Sequence, residues 1–229
     1  MEVSEIVSVL KGRSVAYNVF SKAFKDVPDE ETDTLFKETA EYMFQMADSS
    51  NNENFKKGAE MLKEFLATDN YSEADMAPTR MDRSRDYTRL FIIGKFSVPI
   101  YESVYTSPQQ LTKQDAWAEV KRLYIKNFYK LAEGDKTMED HLALELQFMG
   151  LLSNKTTSFI EDNVFDEAET TLQTQMDFLE KHLLVWAPEL CDKVTELNSA
   201  LHTGFYPAYA YMLKGFLEED AAIVKELLD

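Results

Sequence analysis

The chain has 229 residues, 45% of them hydrophobic and 28% charged, a balance that describes a folded protein with a sizeable core rather than a disordered one. Its formal charge of -17 is uneven: residues 1–134 carry 18 Lys/Arg against 22 Asp/Glu, and residues 135–229 carry 6 against 19. Such a surface repels nucleic acid and anionic lipid and attracts cationic segments, and the lone Cys191 excludes an internal disulfide or a Cys-rich metal site.

Helical patterning runs almost throughout. Ile6, Leu10, Tyr17, Phe20 and Phe24 recur at helical spacing and predict a first helix over about 3–25. Pro28 is placed to open a second helix carrying Leu35, Phe36, Met43 and Met46. Phe55, Ala59, Leu62 and Phe65 mark a third, and a fourth is expected over about 80–93, with Tyr87, Leu90, Phe91 and Gly94 on one face. Gly94, Pro99 and Pro108 break any helical period, which predicts an ordered loop over 94–108. Thr112-Lys-Gln-Asp115, Thr137-Met-Glu-Asp140 and Ser158-Phe-Ile-Glu161 each have the form of a capping box. They predict helices to about Leu131, through Leu142, Leu146 and Met149, and to about Leu184. Pro188, Gly204, Pro207 and Gly215 punctuate the last helices. No strand-like alternation or repeat stands out, so the expected fold is all-α. It is a single globular bundle of about ten helices over residues 1–229, with a candidate hinge near residue 134 between parts 1–133 and 134–229.

Reactive chemistry is sparse. Phosphate-cradling Gly loops, a Gly-x-Ser-x-Gly elbow and His-Glu-x-x-His are all missing, and none of the three histidines sits in a Glu-x-x-His pair. No catalytic residue, metal site or cofactor is assigned, and Cys191 reads as a buried small hydrophobe. The N-terminal Met-Glu-Val-Ser-Glu-Ile lacks a basic n-region and an apolar h-region. No apolar run approaches the roughly 18–20 residues that span a bilayer, so a cytoplasmic location without stable membrane insertion is expected.

Two stretches differ from generic helical filler. Asp86-Tyr-Thr-Arg-Leu-Phe-Ile-Ile-Gly94 with Val98-Pro-Ile-Tyr-Glu-Ser-Val-Tyr105 puts aromatics, a proline and a carboxylate into a loop beside an amphipathic helix. The same residues read equally as core packing of an interhelical loop. In Glu139-Asp-His-Leu-Ala-Leu-Glu-Leu-Gln-Phe-Met149, His141, Glu145 and Phe148 fall near one face. There Asp140 also reads as part of a cap, and His141 with Glu145 as an exposed pair.

Together these stretches resemble the TorD/DmsD family, cytoplasmic maturation chaperones of molybdenum-cofactor oxidoreductases. The matches are Tyr87-Thr-Arg-Leu-Phe91, Gly94, Pro99, Glu102-Ser103-Val104-Tyr105, and Asp140-His141 with Glu145. Arg13-x-x-x-Tyr17, and Phe178-Leu-Glu-Lys-His-Leu-Leu184 with Trp186-Ala-Pro188, also look like the family, so the likeness spans most of the chain. Tyr101 stands where relatives often have Trp, Glu139 where they often have Pro, and Pro99 is alone in a loop that is commonly richer in proline.

The resemblance implies a chaperone that binds the twin-arginine signal peptide of a reductase catalytic subunit, holding it for cofactor insertion and preventing premature export. Tyr87, Leu90, Phe91, Pro99 and Tyr101 are the expected groove residues, with Ser103, Tyr105 and Phe148 beside them. Glu102, Asp140 and Glu145 are the expected arginine acceptors, and His141 an orienting group. A bound guanine nucleotide is implied by the resemblance alone. The expected state is mainly monomer, with a domain-swapped dimer exchanging residues after Gly134. Two alternatives stand beside this reading: a nitrate-reductase-type assembly chaperone for a non-exported subunit, and an acidic helical docking or scaffold module.

Overall fold

A computed structural model describes residues 2–67, 79–94 and 97–229; Lys95 and Phe96 of the predicted loop lie outside the described residues. The chain is all-α, and the described residues contain no strand. The described residues form ten α-helices: α1 (Val3–Lys25), α2 (Glu30–Ser49), α3 (Glu53–Ala67), α4 (Arg80–Tyr87), α5 (Glu102–Thr106), α6 (Asp115–Lys126), α7 (Leu142–Glu161), α8 (Phe165–Phe178), α9 (Leu184–Glu196) and α10 (Phe205–Leu228). A π-helical turn follows α4 (Thr88–Ile92) and another follows α8 (Leu179–Leu183). Two compact units arise, one of Met1–Ser21, Ile100–Ala187 and Asp220–Asp229, the other of Lys22–Pro99 and Pro188–Glu219. The divisions fall inside α1, α9 and α10 and in the 99/100 loop. The Glu133–Lys136 segment, with Gly134 at φ 88°, is a turn between α6 and α7 within the first unit.

In the second unit, α3 and α10 approach closely enough to require glycine. A Cβ on Gly58 would lie 2.5 Å from the Ala208 carbonyl oxygen, and one on Gly215 would lie 2.5 Å from the Phe55 nitrogen. Phe36, Phe65, Phe205 and Tyr209 close the core with ring centroids 4.6–5.9 Å apart. Asp33 on α2 accepts from Arg83 at 2.6 Å and from Arg80 at 2.7 Å. Asp86 accepts from the backbone of His202 and Thr203 at 2.7 and 2.8 Å, which holds the turn ahead of α10. Cys191 is fully buried, and burial pushes its thiol far above the usual range.

In the first unit, an Arg13–Asp220 pair ties four helices. Arg13 Nε and Nη2 donate to the two Asp220 oxygens at 2.5 and 2.9 Å, and Nη1 donates to Gln175 at 2.7 Å and Ser153 at 3.3 Å. Tyr17 donates to Asp220 at 2.5 Å. Burial and then the Asp220 charge push the Tyr17 phenol well up, so it stays a donor.

All three predicted capping boxes are corrected. α6 starts at Asp115 with Gln114 as its cap residue and no side-chain cap bond, and it ends at Lys126, short of Leu131. Thr137–Asp140 is not helical: α7 begins at Leu142, and His141 Nδ1 accepts the Ala143 N–H at 3.1 Å. Ser158–Glu161 is the last turn of α7, and the predicted run to Leu184 is divided among α7, α8, the π turn and the start of α9. The box is a four-residue pattern, and the longer apolar stripe from Leu142 to Ile160 decides where α7 runs. Pro28 sits one residue before the true cap, Asp29, which exchanges hydrogen bonds with Thr32.

Asp220→Ala leaves Arg13 charged and buried without its partner. The unfolding free energy from equilibrium urea titration should fall by about 3–5 kcal/mol; an unchanged midpoint and slope would show that the pair carries no stability.

Candidate functional site

In the first unit the chain crosses itself at Tyr101 and His141. These two residues form an isolated antiparallel bridge in which Glu102 N–H donates to the Asp140 carbonyl at 3.0 Å and Leu142 N–H to the Ile100 carbonyl at 3.1 Å. The Tyr101 and His141 rings meet edge to face, with centroids 5.1 Å apart. Asp140 is therefore held over the start of α5, where one carboxylate oxygen accepts from Ser103 N–H at 3.0 Å and from the Ser103 hydroxyl. The capping role that the sequence suggested for Asp140 exists, but it serves α5, far away in the chain, and α7 is capped by His141.

Beneath this crossing lies a polar cluster. Both Glu102 oxygens lie 3.0 Å from His182 Nδ1, and the His182 ring stacks on Phe178 at 4.8 Å. Glu145 on the first turn of α7 accepts from Trp186 Nε1 at 3.1 Å, and Trp186 lies against Tyr105 at 5.3 Å. Tyr124, Phe148 and Phe178 form an aromatic wall with centroids 4.7 and 5.1 Å apart. Glu102, Asp140 and Glu145 are at most 1% exposed, so three carboxylates share one desolvated interior. Asp140 Oδ1, Glu145 Oε1 and the Tyr124 hydroxyl are buried and have no hydrogen-bond partner. Among the described residues no group of three or more His, Cys, Asp or Glu is arranged to hold a metal ion.

Burial, then the neighbouring charges of Glu102 and Asp140, push the Glu145 carboxyl well above the usual carboxylate range, and the Trp186 hydrogen bond only partly opposes them. A proton there turns Glu145 into a donor toward Glu102. Burial and the Glu145 charge raise the Tyr124 phenol as well, and burial with Asp140 raises Tyr101.

The predicted residues are thus distributed between the units. Tyr101, Glu102, Ser103, Tyr105, Asp140, His141, Glu145 and Phe148 gather in the first unit, with Tyr101 and Tyr105 half-buried at its margin and the others buried. Glu102, Asp140 and Glu145 face inward and offer no carboxylate to solvent; the reading of His141 and Glu145 as an exposed pair is corrected by their burial. Tyr87, Leu90, Phe91 and Pro99 belong to the second unit. There Tyr87 donates to the Lys25 carbonyl at 3.0 Å and packs on Phe91 and Tyr206 at 5.1 and 5.9 Å. Leu90 is fully buried, Phe91 and Pro99 half-buried. His182, Trp186 and Tyr124 were not expected at the site. A usable signal existed: Phe178, His182 and Trp186 stand at i, i+4 and i+8, which puts an imidazole and an indole on an apolar helical face.

The family model described as nitrate reductase delta subunit matches residues 48–192. A protein named chaperone protein TorD from Vibrio parahaemolyticus is 25% identical over 222 residues, covering 96% of this chain and 98% of its own length. This chain belongs to the TorD/DmsD chaperone family. A TorD chaperone from Vibrio cholerae is 28% identical over 155 residues, 67% of each chain, and one from Actinobacillus pleuropneumoniae is 26% identical over 148 residues. The family consists of molybdoenzyme maturation chaperones, not enzymes. Among the described residues no helix is long and apolar enough to cross a membrane.

The raised Glu145 carboxyl makes stability pH-dependent. Its folded pKa lies above the unfolded one, so its contribution is full below about pH 4.3 and is lost as pH rises toward the folded value. Glu145→Gln keeps a donor for Glu102 and an acceptor for Trp186 but cannot ionise. Relative to the parent, the variant should gain thermal stability steadily from pH 5 to pH 8; a constant difference across that range would contradict a raised carboxyl.

Proposed function

We propose that this chain is a cytoplasmic chaperone that holds the twin-arginine signal of a molybdenum-cofactor oxidoreductase catalytic subunit until its cofactor is inserted. The binding region is the Tyr101–Tyr105 segment and the cluster beneath it. The observation that carries this reading is a cluster rich in negative charge: three carboxylates are buried together beside His141 and His182, and two of their oxygens accept no hydrogen bond. A guanidinium carries five N–H donors in a planar fork, which suits two unfilled carboxylate oxygens better than a lysine ammonium does. Half-buried Tyr101 and Tyr105 form the margin where the apolar part of the signal would lie.

Access requires the short α5 to move. It is held by the Asp140 hydrogen bonds to Ser103, the two backbone bonds of the Tyr101–His141 crossing, the Glu102–His182 pair, the Gln114 N–H bond to the Ser103 hydroxyl and the Tyr105–Trp186 contact, which a binding peptide has to replace. Each Leu-class side chain of the signal that is buried contributes roughly 1.5–3 kcal/mol, and ordering the peptide returns roughly 2–5 kcal/mol. The apolar stretch therefore supplies most of the affinity, and the carboxylates supply the preference for arginine.

The matching family is described as nitrate reductase delta subunit, and the second reading is an assembly chaperone for a reductase subunit that is not exported. Calorimetric titration separates the two. An Arg-Arg signal peptide should bind well and a Lys-Lys version at least tenfold more weakly. Tyr101→Ala should weaken binding by about 1–3 kcal/mol with an unchanged melting temperature. If the folded Tyr101→Ala variant binds as tightly as the parent, the segment is core packing and the signal binds elsewhere; equal binding of both peptides favours the non-exported client.

A further inference from the structure

We infer that docking of the client's arginine at this cluster is proton-linked: Glu145 holds a proton in the free chain and releases it to solvent as the guanidinium takes its place. The inference rests on the signal-binding reading above and adds how that site is regulated.

The geometry argues for it in three steps. Glu145 is fully buried on the first turn of α7, where its carboxyl accepts from Trp186 Nε1 of α9 at 3.1 Å. The titratable groups around it come from every element of the cluster. They are Glu102 of α5, Asp140 and His141 ahead of α7, His182 of the π turn and Tyr124 of α6. Of these, His182 already faces both Glu102 oxygens, Asp140 is engaged by Ser103, and His141 Nδ1 is occupied in capping α7. The buried Tyr124 hydroxyl, acting in the same desolvated space, has no partner of its own. Among the described residues no lysine or arginine is ion-paired with Glu145, and a desolvated carboxylate beside two others takes up a proton. The elevated carboxyl of Glu145 follows from the same arrangement.

A guanidinium brought into the cluster reverses the balance. It adds one permanent positive charge and several donors, which stabilise the ionised carboxylate and fill Glu145 Oε1 and Asp140 Oδ1. The bookkeeping is closed: the carboxyl O–H breaks, its proton passes to buffer, no electrons move, and the arginine keeps its charge. Binding should therefore tighten as pH rises, at full coupling by about tenfold per pH unit between the ordinary carboxylate range and the free chain's own Glu145 titration. A client would be held firmly at neutral pH and let go by local acidification.

The test uses the full chain and a synthetic peptide with the Arg-Arg signal. Calorimetric titrations in two buffers of very different ionisation enthalpy report the protons exchanged per binding event. The expected result is a net release approaching one proton for the parent chain and a release near zero for Glu145→Gln. Infrared spectra of the free parent chain should show a protonated carboxylic-acid band that disappears when the peptide saturates it. That measurement decides the question even if the variant does not fold. Tight binding with the same apparent enthalpy in both buffers, or with no such infrared band, overturns the proton linkage and leaves the signal-binding reading intact. An undiminished release from folded Glu145→Gln overturns the assignment to Glu145. Absence of peptide binding at every pH defeats the signal-binding reading itself.

Discussion

Within the first unit, everything depends on keeping charge in an interior without water. Arg13 and Asp220 are 207 residues apart, and each would be costly to bury alone. Paired, and with Tyr17, Ser153 and Gln175 filling the remaining donors and acceptors, they fix α1, α7, α8 and α10 in one register. Such a pair contributes less by attraction than by selection. Any arrangement of these helices that separates the two leaves an uncompensated charge in the core, so alternatives are excluded more strongly than the native state is favoured.

The polar cluster follows the opposite rule. Glu102 has His182 and Asp140 has Ser103, but Glu145 has only an indole N–H, and its second oxygen accepts nothing. A fold that fills every acceptor around Arg13 and leaves acceptors empty around Glu145 has placed its deficit in one position, under a short helix tied down by a few hydrogen bonds. Local incompleteness of this kind costs stability and suits a site that a partner is meant to complete. Aromatic packing of Tyr124, Phe148, Phe178 and Trp186 keeps water out, which gives the missing charge its leverage.

The sequence reading recovered the helices because amphipathic spacing is local, and the long stripes of α1, α3 and α7 leave little choice about which face is buried. It failed at the three helix starts read from capping boxes. A Ser/Thr with an acidic residue three positions later occurs by chance in any Glu-rich helix, and at Thr112, Thr137 and Ser158 the apolar stripe outweighed the cap. It named eight of the residues that meet in the first unit from a resemblance of short motifs. It also allowed His141 and Glu145 to be an exposed pair, because charge by itself reads as exposure. His182 and Trp186 sat in a matched segment and were passed over, since nothing in their neighbours tells that a glutamate from α5 and another from α7 will meet them.

What the sequence by itself determined is the class of fold, the acidic balance of the chain and the motifs that place it among these chaperones. Only the tertiary structure decided what those motifs do. Asp140 caps a helix through Ser103, 37 residues before it, Glu102 finds a histidine 80 residues later, and Arg13 finds its carboxylate near the other end of the chain. The physical reason is a difference of range. Helix formation is settled by residues three and four apart, whereas the state of a buried charge is settled by whatever the folded chain brings within a few ångströms of it.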